Sequence, residues 1–138
     1  AHVLRAPEEL AGNAAWAIGN LCRDEAWCLR MLECAEWVDG VLMGVARLLT
    51  AGDEQTACDA AAALAFLCAH HRGQLLALSH VDCPVLLSGL LHNVCSSSPH
   101  VSGAAALALR NLRRTDLGLE RSLELETKHP SYIRAVAS

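Results

Sequence analysis

Cysteine and histidine are the residues of this chain whose types and spacing could bind a metal ion. Cys68 is two positions before His70, and His80 is three positions before Cys83. A zinc site usually combines paired ligands at short spacing in two halves of its motif. Cys68 instead lies in an apolar helical pattern at the position equivalent to Cys22, which indicates a buried thiol. We therefore predict no metal site and no cofactor.

The cysteine count also indicates the redox environment. The chain has seven cysteines, an odd number, and most of them lie within apolar helical patterns. Cys22, Cys28 and Cys34 follow one another at six-residue intervals, which does not place them on one helical stripe. We expect reduced core thiols in a protein of the cytoplasm or the nucleus.

Catalytic patterns are missing from the sequence. It contains neither a Gly-rich phosphate loop nor the elbow that presents a nucleophilic serine. Acidic residues near the helix starts suit solvent or helix caps, and Asp53 is expected to cap a helix. We predict no enzymatic activity, no catalytic residue and no small-molecule substrate.

Composition limits the remaining classes. Hydrophobic residues make up 53% of the 138 positions and the net charge is −4, so the chain forms a core and does not favour nucleic acid. No apolar run reaches the roughly 18 residues that a membrane span needs, and no signal peptide is recognisable. We expect one domain over 1–138, and the missing initiator Met leads us to expect a fragment of a longer protein.

Similar segments recur along the chain at a nearly constant interval. Their equivalent leucines, Leu21, Leu67 and Leu112, are 46 and 45 residues apart, a period typical of α-helical repeat proteins. The three segments are NAAWAIGNLC at 13–22, DAAAALAFLC at 59–68 and AAALALRNLR at 104–113.

Two more helices are predicted ahead of each later copy. The longer ones cover 37–50 and 81–94, and the shorter ones cover 24–35 and 71–80. The unit is therefore a short first helix, a middle helix and a long third helix, with no period-two alternation to indicate strands. The predicted third helices lie near 10–23, 54–70 and 101–114.

The repeat pattern ends after residue 114. Thr115 and Asp116 form a capping-type helix start, and Pro130 ends the helical spacing that follows. We predict that 115–138 caps the last repeat, because the end of a solenoid needs such cover. The alternative is a tail that docks on a partner.

The order of middle helix, turn and third helix over roughly residues 10–114 resembles the armadillo-repeat family. AAWAIGNLC is similar to the third-helix motif of importin-α-type members, with Trp16 and Asn20 at its Trp and Asn positions. The resemblance implies an all-α fold, an armadillo-type α-solenoid that winds about three repeats into a right-handed superhelix. In that family the third helices line a concave face, where Asn binds the peptide main chain and Trp packs on basic side chains.

The three copies do not repeat this motif faithfully. Only the first copy has both residues, and this interrupted pattern suits a standard basic import signal poorly. The Trp position holds Trp16, Ala62 and Leu107, and the Asn position holds Asn20, Phe66 and Asn111.

Helical spacing assigns the two sides of each third helix. Residues four apart lie on one side, so the Trp and Asn positions are expected on an open face and the leucines with their small neighbours in the core. The expected core residues are Ala14, Ala17, Ile18, Leu21, Ala63, Leu64, Leu67, Ala108, Leu109 and Leu112. The predicted partner-binding residues are Trp16, Asn20, Ala62, Phe66, Leu107, Arg110 and Asn111.

The expected function is protein interaction. We predict a non-enzymatic scaffold that binds a peptide or helical segment of a partner along the concave third-helix face and prefers apolar anchors with some acidic residues. His70, Arg113 and Arg114 are expected to add positive charge near the helix ends. One alternative is a nuclear-import adaptor for a basic signal, and another is a regulatory or docking module of a longer, enzymatic chain. Self-association through exposed repeat ends is a further expectation.

Overall fold

The computed structural model describes residue 13, residues 16–51 and residues 53–128, and in these residues it contains helices and turns but no strand. The predicted all-α class is therefore confirmed. Three expectations lie outside the described residues: the helix start at 10–12, the core position of Ala14, and the tail at 129–138.

The described helices follow one another in the predicted places, but the third helix is not always the longest: the middle helix Ala35–Ala51 has 17 residues and the third helix Glu54–Leu67 has 14. We call α2, α5 and α8 the first helices, α3 and α6 the middle helices, and α1, α4 and α7 the third helices. Their bounds are α1 16–22, α2 Glu25–Leu32, α3 Ala35–Ala51, α4 Glu54–Leu67, α5 His71–Ser79, α6 Cys83–Val94, α7 Pro99–Leu112 and α8 Asp116–Lys128.

Side-chain caps determine where several helices begin. The Asp24 carboxylate accepts from the main-chain N–H of Trp27 at 3.0 Å, and the Asp53 carboxylate accepts from the N–H of Thr56 at 2.8 Å. The bond from Thr56 also lowers the pKa of Asp53, because the bond favours the charged carboxylate. The cap expected at Asp53 is confirmed.

Equivalent helices of successive units lie side by side. The middle and third helices of one unit pack on each other, α3 on α4 and α6 on α7. Between units, α4 packs on α7 and α3 packs on α6. The helices predicted to be equivalent thus contact each other in two cases, α4 with α7 and α3 with α6.

The contact between third helices depends on small side chains. Ala57, Ala61 and Ala65 are buried at four-residue spacing along α4, beside Leu64 and Leu67. Residues four apart share one side of a helix, so these alanines present a low surface to a neighbouring helix. Each leucine that leaves water contributes about 1.5–3 kcal/mol, and the alanines let the helices approach closely enough to exclude water.

Two glycines permit the tight turn from a third helix into the next first helix. A Cβ at Gly73 would lie 1.8 Å from the carbonyl oxygen of Leu67, and a Cβ at Gly118 would lie 2.0 Å from that of Leu112. These glycines are 45 residues apart, as are the two leucines. The turn is therefore a repeated feature that requires the absence of a side chain.

Gly73→Ala should lower the free energy of unfolding by about 2–4 kcal/mol, because the methyl group would overlap the Leu67 carbonyl and push α5 away from α4. Urea denaturation measures this loss. Gly103→Ala is the matched control, since its added methyl group would meet no neighbouring helix or side chain within 4 Å, and it should be neutral or stabilising by up to about 1 kcal/mol. Equal effects of the two changes would contradict a steric requirement for glycine at the turn.

Candidate partner-binding surface

Two of the three residues in the predicted Trp row are large apolar side chains exposed on third helices. Trp16 on α1 is 59% exposed and Leu107 on α7 is 42% exposed, while Ala62 on α4 is half-buried. The backbone of α1 lies against α4, because a Cβ on Gly19 would be 3.8 Å from the main-chain nitrogen of Ala63. The helix that carries the small side chain of Ala62 is thus close to both α1 and α7, the helices that carry the two large exposed residues.

Phe66 follows Ala62 by one turn of α4 and has a cationic neighbour. Its side chain is half-buried and packs against the core. The guanidinium carbon of Arg23 lies 5.8 Å from the centre of the Phe66 ring, within the range of a cation–π contact. Arg23 is exposed, so this contact places a positive charge beside Phe66, one helical turn from Ala62.

Asn111 does not lie on an open surface, so the open-face position that helical spacing assigned to it is wrong. It is only 4% exposed, and its side-chain nitrogen donates to the carbonyl oxygen of Ala65 at 2.9 Å. Ala65 lies in the last turn of α4, where the N–H of Ala69 bonds to the carbonyl of Phe66 instead. The amide of Asn111 therefore completes the end of the preceding third helix.

A hydrogen bond of the same kind, from a side-chain amide to a main-chain carbonyl, joins the middle helices. Asn93 of α6 is buried, and its side-chain nitrogen donates to the carbonyl oxygen of Leu49 in α3 at 2.7 Å. Buried Gln74 also donates to two carbonyls, those of Cys68 at 3.0 Å and Asn111 at 3.1 Å. Sequence reasoning missed Asn93 and Gln74, and the available signal was an amide side chain within an otherwise apolar helix face.

Between the first helices, the side chain that donates to a main-chain carbonyl is an arginine. The Nε atom of Arg72 on α5 donates to the carbonyl oxygen of Leu32 on α2 at 2.7 Å. Arg121 on α8 donates to the carbonyl of Leu78 on α5. All three classes of helix are thus connected to the preceding unit by a side-chain donor and a carbonyl near a helix end.

Asn20 and Leu21 are both exposed on α1. Asn20 is equivalent to buried Asn111, and Leu21 is 43% exposed although the equivalent Leu67 and Leu112 are buried. The prediction that Leu21 belongs to the core is therefore wrong. Leu67 and Leu112 are buried on helices that pack on the middle helices α3 and α6, whereas the residues before α1 are mostly outside the described part of the chain.

Basic residues are concentrated toward the carboxyl ends of the third helices. Arg110 and Arg114 of α7 and its following turn are exposed, as is Arg23 after α1. Arg110 of α7 is equivalent to buried Ala65 of α4. The side of α4 that carries Ala65 contacts α7, so Arg110 lies on the equivalent side of α7. Arg113 is less available to a partner than expected, because its guanidinium forms an ion pair with Glu126 at 3.1 Å.

Three of the cysteine and histidine residues considered above as metal ligands contact other groups of the chain. No group of three or more metal-ligating side chains occurs in the described part of the chain. The Cys68 thiol points to the carbonyl of Gly73 at 4.0 Å, and Arg121 contacts the sulfur of Cys83 at 3.5 Å. The Nε2 atom of His80 lies 2.8 Å from a carboxylate oxygen of Asp39.

The described helices include no single membrane-spanning segment. None of them alone is long and apolar enough to cross a membrane; α5 and α6 taken together are, but the two helices are bent by 109° at the break between them. Neither a protein-family model nor a curated protein sequence matches the chain.

Asn111→Ala should lower the free energy of unfolding by about 1–3 kcal/mol, because it leaves the buried carbonyl of Ala65 without its donor. Asn20→Ala removes the equivalent but exposed amide and should change stability by less than about 0.5 kcal/mol. Chemical denaturation of the two variants and the unchanged chain measures both values. Similar losses would show that the amide of Asn111 does not serve the packing described here.

Thiol reactivity should separate the exposed cysteines from the buried ones. Burial raises the pKa of Cys22 to about 12, with a smaller contribution from neighbouring Cys28, and burial also raises the pKa of Cys68. The thiolate is the reactive form, so a disulfide reagent at about pH 8 should label exposed Cys34 and Cys95 quickly and the two buried thiols only on unfolding. Mass spectrometry of the labelled peptides identifies the sites, and fast labelling of Cys68 in the folded chain would contradict its burial.

Proposed function

We propose that the chain is an armadillo-type α-solenoid that serves as a non-enzymatic protein-interaction scaffold. The packing of like helices on like helices supports this architecture, since α4 lies on α7 and α3 lies on α6. The side-chain bonds to the preceding unit support it as well, because each joins residues that are 40 to 46 positions apart in sequence, close to one repeat. The seven thiols suit a reducing compartment such as the cytoplasm or the nucleus.

The third-helix surface is the proposed binding site, and we define it by Trp16, Ala62, Phe66 and Leu107. The exposed Trp16 and Leu107, on two helices that both lie close to α4, are the observation that carries the proposal. A single large apolar side chain exposed on a folded protein is common, whereas a patch of such side chains is typical of an interaction site. An extended or helical segment crossing the third helices would place its apolar side chains over Ala62.

The charges beside this surface favour a partner segment with acidic residues. Arg23, Arg110 and Arg114 are exposed, and each carries a permanent charge that attracts carboxylates. A basic import signal would meet the same charges with repulsion, so the adaptor alternative is disfavoured by the arginines as well as by the interrupted Asn row. Asn20 is the one amide of that row, among the described third helices, that remains exposed for a partner's main chain.

Selection from a random peptide library displayed on phage tests this proposal without a known partner. The unchanged chain should enrich peptides that combine large apolar residues with Asp or Glu. The affinities of synthetic copies should fall about tenfold or more for the double variant Trp16→Ala/Leu107→Ala, because anchors in the centre of an interface contribute most of its binding energy. Fluorescence anisotropy of labelled peptides measures these affinities.

The matched control is the double variant Leu75→Ala/Val85→Ala, which removes two similarly exposed apolar side chains from α5 and α6. It should bind the selected peptides like the unchanged chain. Peptides that bind the Trp16→Ala/Leu107→Ala variant with unchanged affinity would reject this surface. Enrichment of lysine-rich sequences would reject the preference for acidic segments and favour the adaptor alternative.

A further inference from the structure

A second concave site lies away from the third helices. A cleft of about 460 Å³ opens between the first half of α3 and the end of α5 with the turn that follows it. Val38 and Leu42 of α3 line it but are almost fully buried, so its accessible apolar wall is formed by Leu76 of α5 with exposed Ala35 and Val81. No residue of α1, α4 or α7 lines it, so this cleft is separate from the third-helix surface.

A histidine and an aspartate organise one edge of the cleft. The N–H of Asp82 donates to Nδ1 of His80 at 3.0 Å, so Nδ1 acts as an acceptor and the ring proton is on Nε2. That proton faces Asp39, with Nε2 at 2.8 Å from the carboxylate oxygen Oδ1 and 3.2 Å from the main-chain oxygen. The imidazole is almost fully buried, whereas the Asp39 side chain is 61% exposed. The bond to His80 thus holds an accessible carboxylate in a fixed position.

The charge around the cleft has one sign. Glu36 and Asp39 are one turn apart on α3, and both are exposed at the rim. No lysine or arginine lines the cleft, and the guanidinium of Arg72, from the same helix layer, is occupied by the Leu32 carbonyl. A cationic group would therefore find two carboxylates here without a competing positive charge.

The rim of the cleft also carries a strongly exposed apolar side chain. Val81, in the turn after α5, is 81% exposed. The neighbouring Ser79 does not offer its hydroxyl to the cleft, because that group donates to the carbonyl of Leu75 at 2.7 Å. A ligand side chain would thus meet Val81 and the apolar wall on one side and the carboxylates on the other.

We propose that this cleft binds a protein segment that presents an aliphatic side chain next to arginine or lysine. The aliphatic group would pack on Leu76 and Val81, and the cationic group would pair with Asp39 and Glu36. This ligand has the opposite charge preference from the partner proposed for the third-helix surface. The two sites would therefore recruit different segments.

The test uses the full chain and three capped tetrapeptides as probes. They are acetyl-Arg-Leu-Leu-Arg-amide, its acidic counterpart acetyl-Glu-Leu-Leu-Glu-amide, and acetyl-Arg-Ser-Ser-Arg-amide, which lacks the apolar groups. Amide chemical shifts in a ¹H–¹⁵N NMR titration report both the location and the dissociation constant. The first peptide should shift the signals of Glu36, Asp39 and Val81, and the other two should bind more weakly.

The double variant Glu36→Gln/Asp39→Asn removes both charges and keeps an oxygen that can accept the His80 proton, so the fold should be preserved. Its dissociation constant for the first peptide should rise roughly threefold to tenfold. The control is Glu120→Gln/Glu124→Gln, which removes two exposed charges from α8 and should leave binding unchanged. Equal binding of the acidic peptide, shifts confined to the third-helix surface, or equal effects of the two double variants would each overturn the proposal.

Discussion

The structure depends on hydrogen bonds between a side-chain donor of one unit and a main-chain carbonyl near a helix end of the unit before it. Asn111 to Ala65 and Asn93 to Leu49 are the clearest cases, at 2.9 and 2.7 Å. A helix leaves its last carbonyls without intrahelical donors, and burying them unpaired would be costly. Because each donor reaches one particular carbonyl, these bonds determine how far one helix is displaced along the next. Alanine contacts alone would permit neighbouring helices to slide.

This constraint explains why a chain so rich in alanine forms a defined stack. Small side chains allow close approach, but they interlock weakly, so specificity must come from polar bonds and from the turns. Gly73 and Gly118 permit these turns. Because they have no side chain, the next first helix can lie close against a carbonyl group of the third helix before it. The two glycines are 45 residues apart, and each of these polar bonds joins residues 40 to 46 apart in sequence. Turns and bonds together hold the helices of one unit against those of the next.

The two proposed binding sites follow from this stacking. The third-helix surface combines apolar side chains with arginines near the helix ends, whereas the cleft between α3 and α5 combines apolar side chains with carboxylates. A scaffold with two surfaces of opposite charge preference would bind two kinds of segment and distinguish them by electrostatics. Arg23 and Asp39 illustrate the difference, because each is an exposed charge held in place by a partner, the ring of Phe66 in one case and His80 in the other.

The sequence by itself determined the helices, their repeat interval, the buried leucines Leu67 and Leu112, and the cap at Asp53, because local spacing and capping chemistry act over a few residues. Only the tertiary structure decided that Asn111 faces the preceding helix while the equivalent Asn20 is exposed. Helical spacing places two residues on the same side of one helix, but it does not say which neighbour that side meets. In a helix of alanines many positions are small enough for either role, so the packing between helices, such as that of α7 on α4, makes the choice.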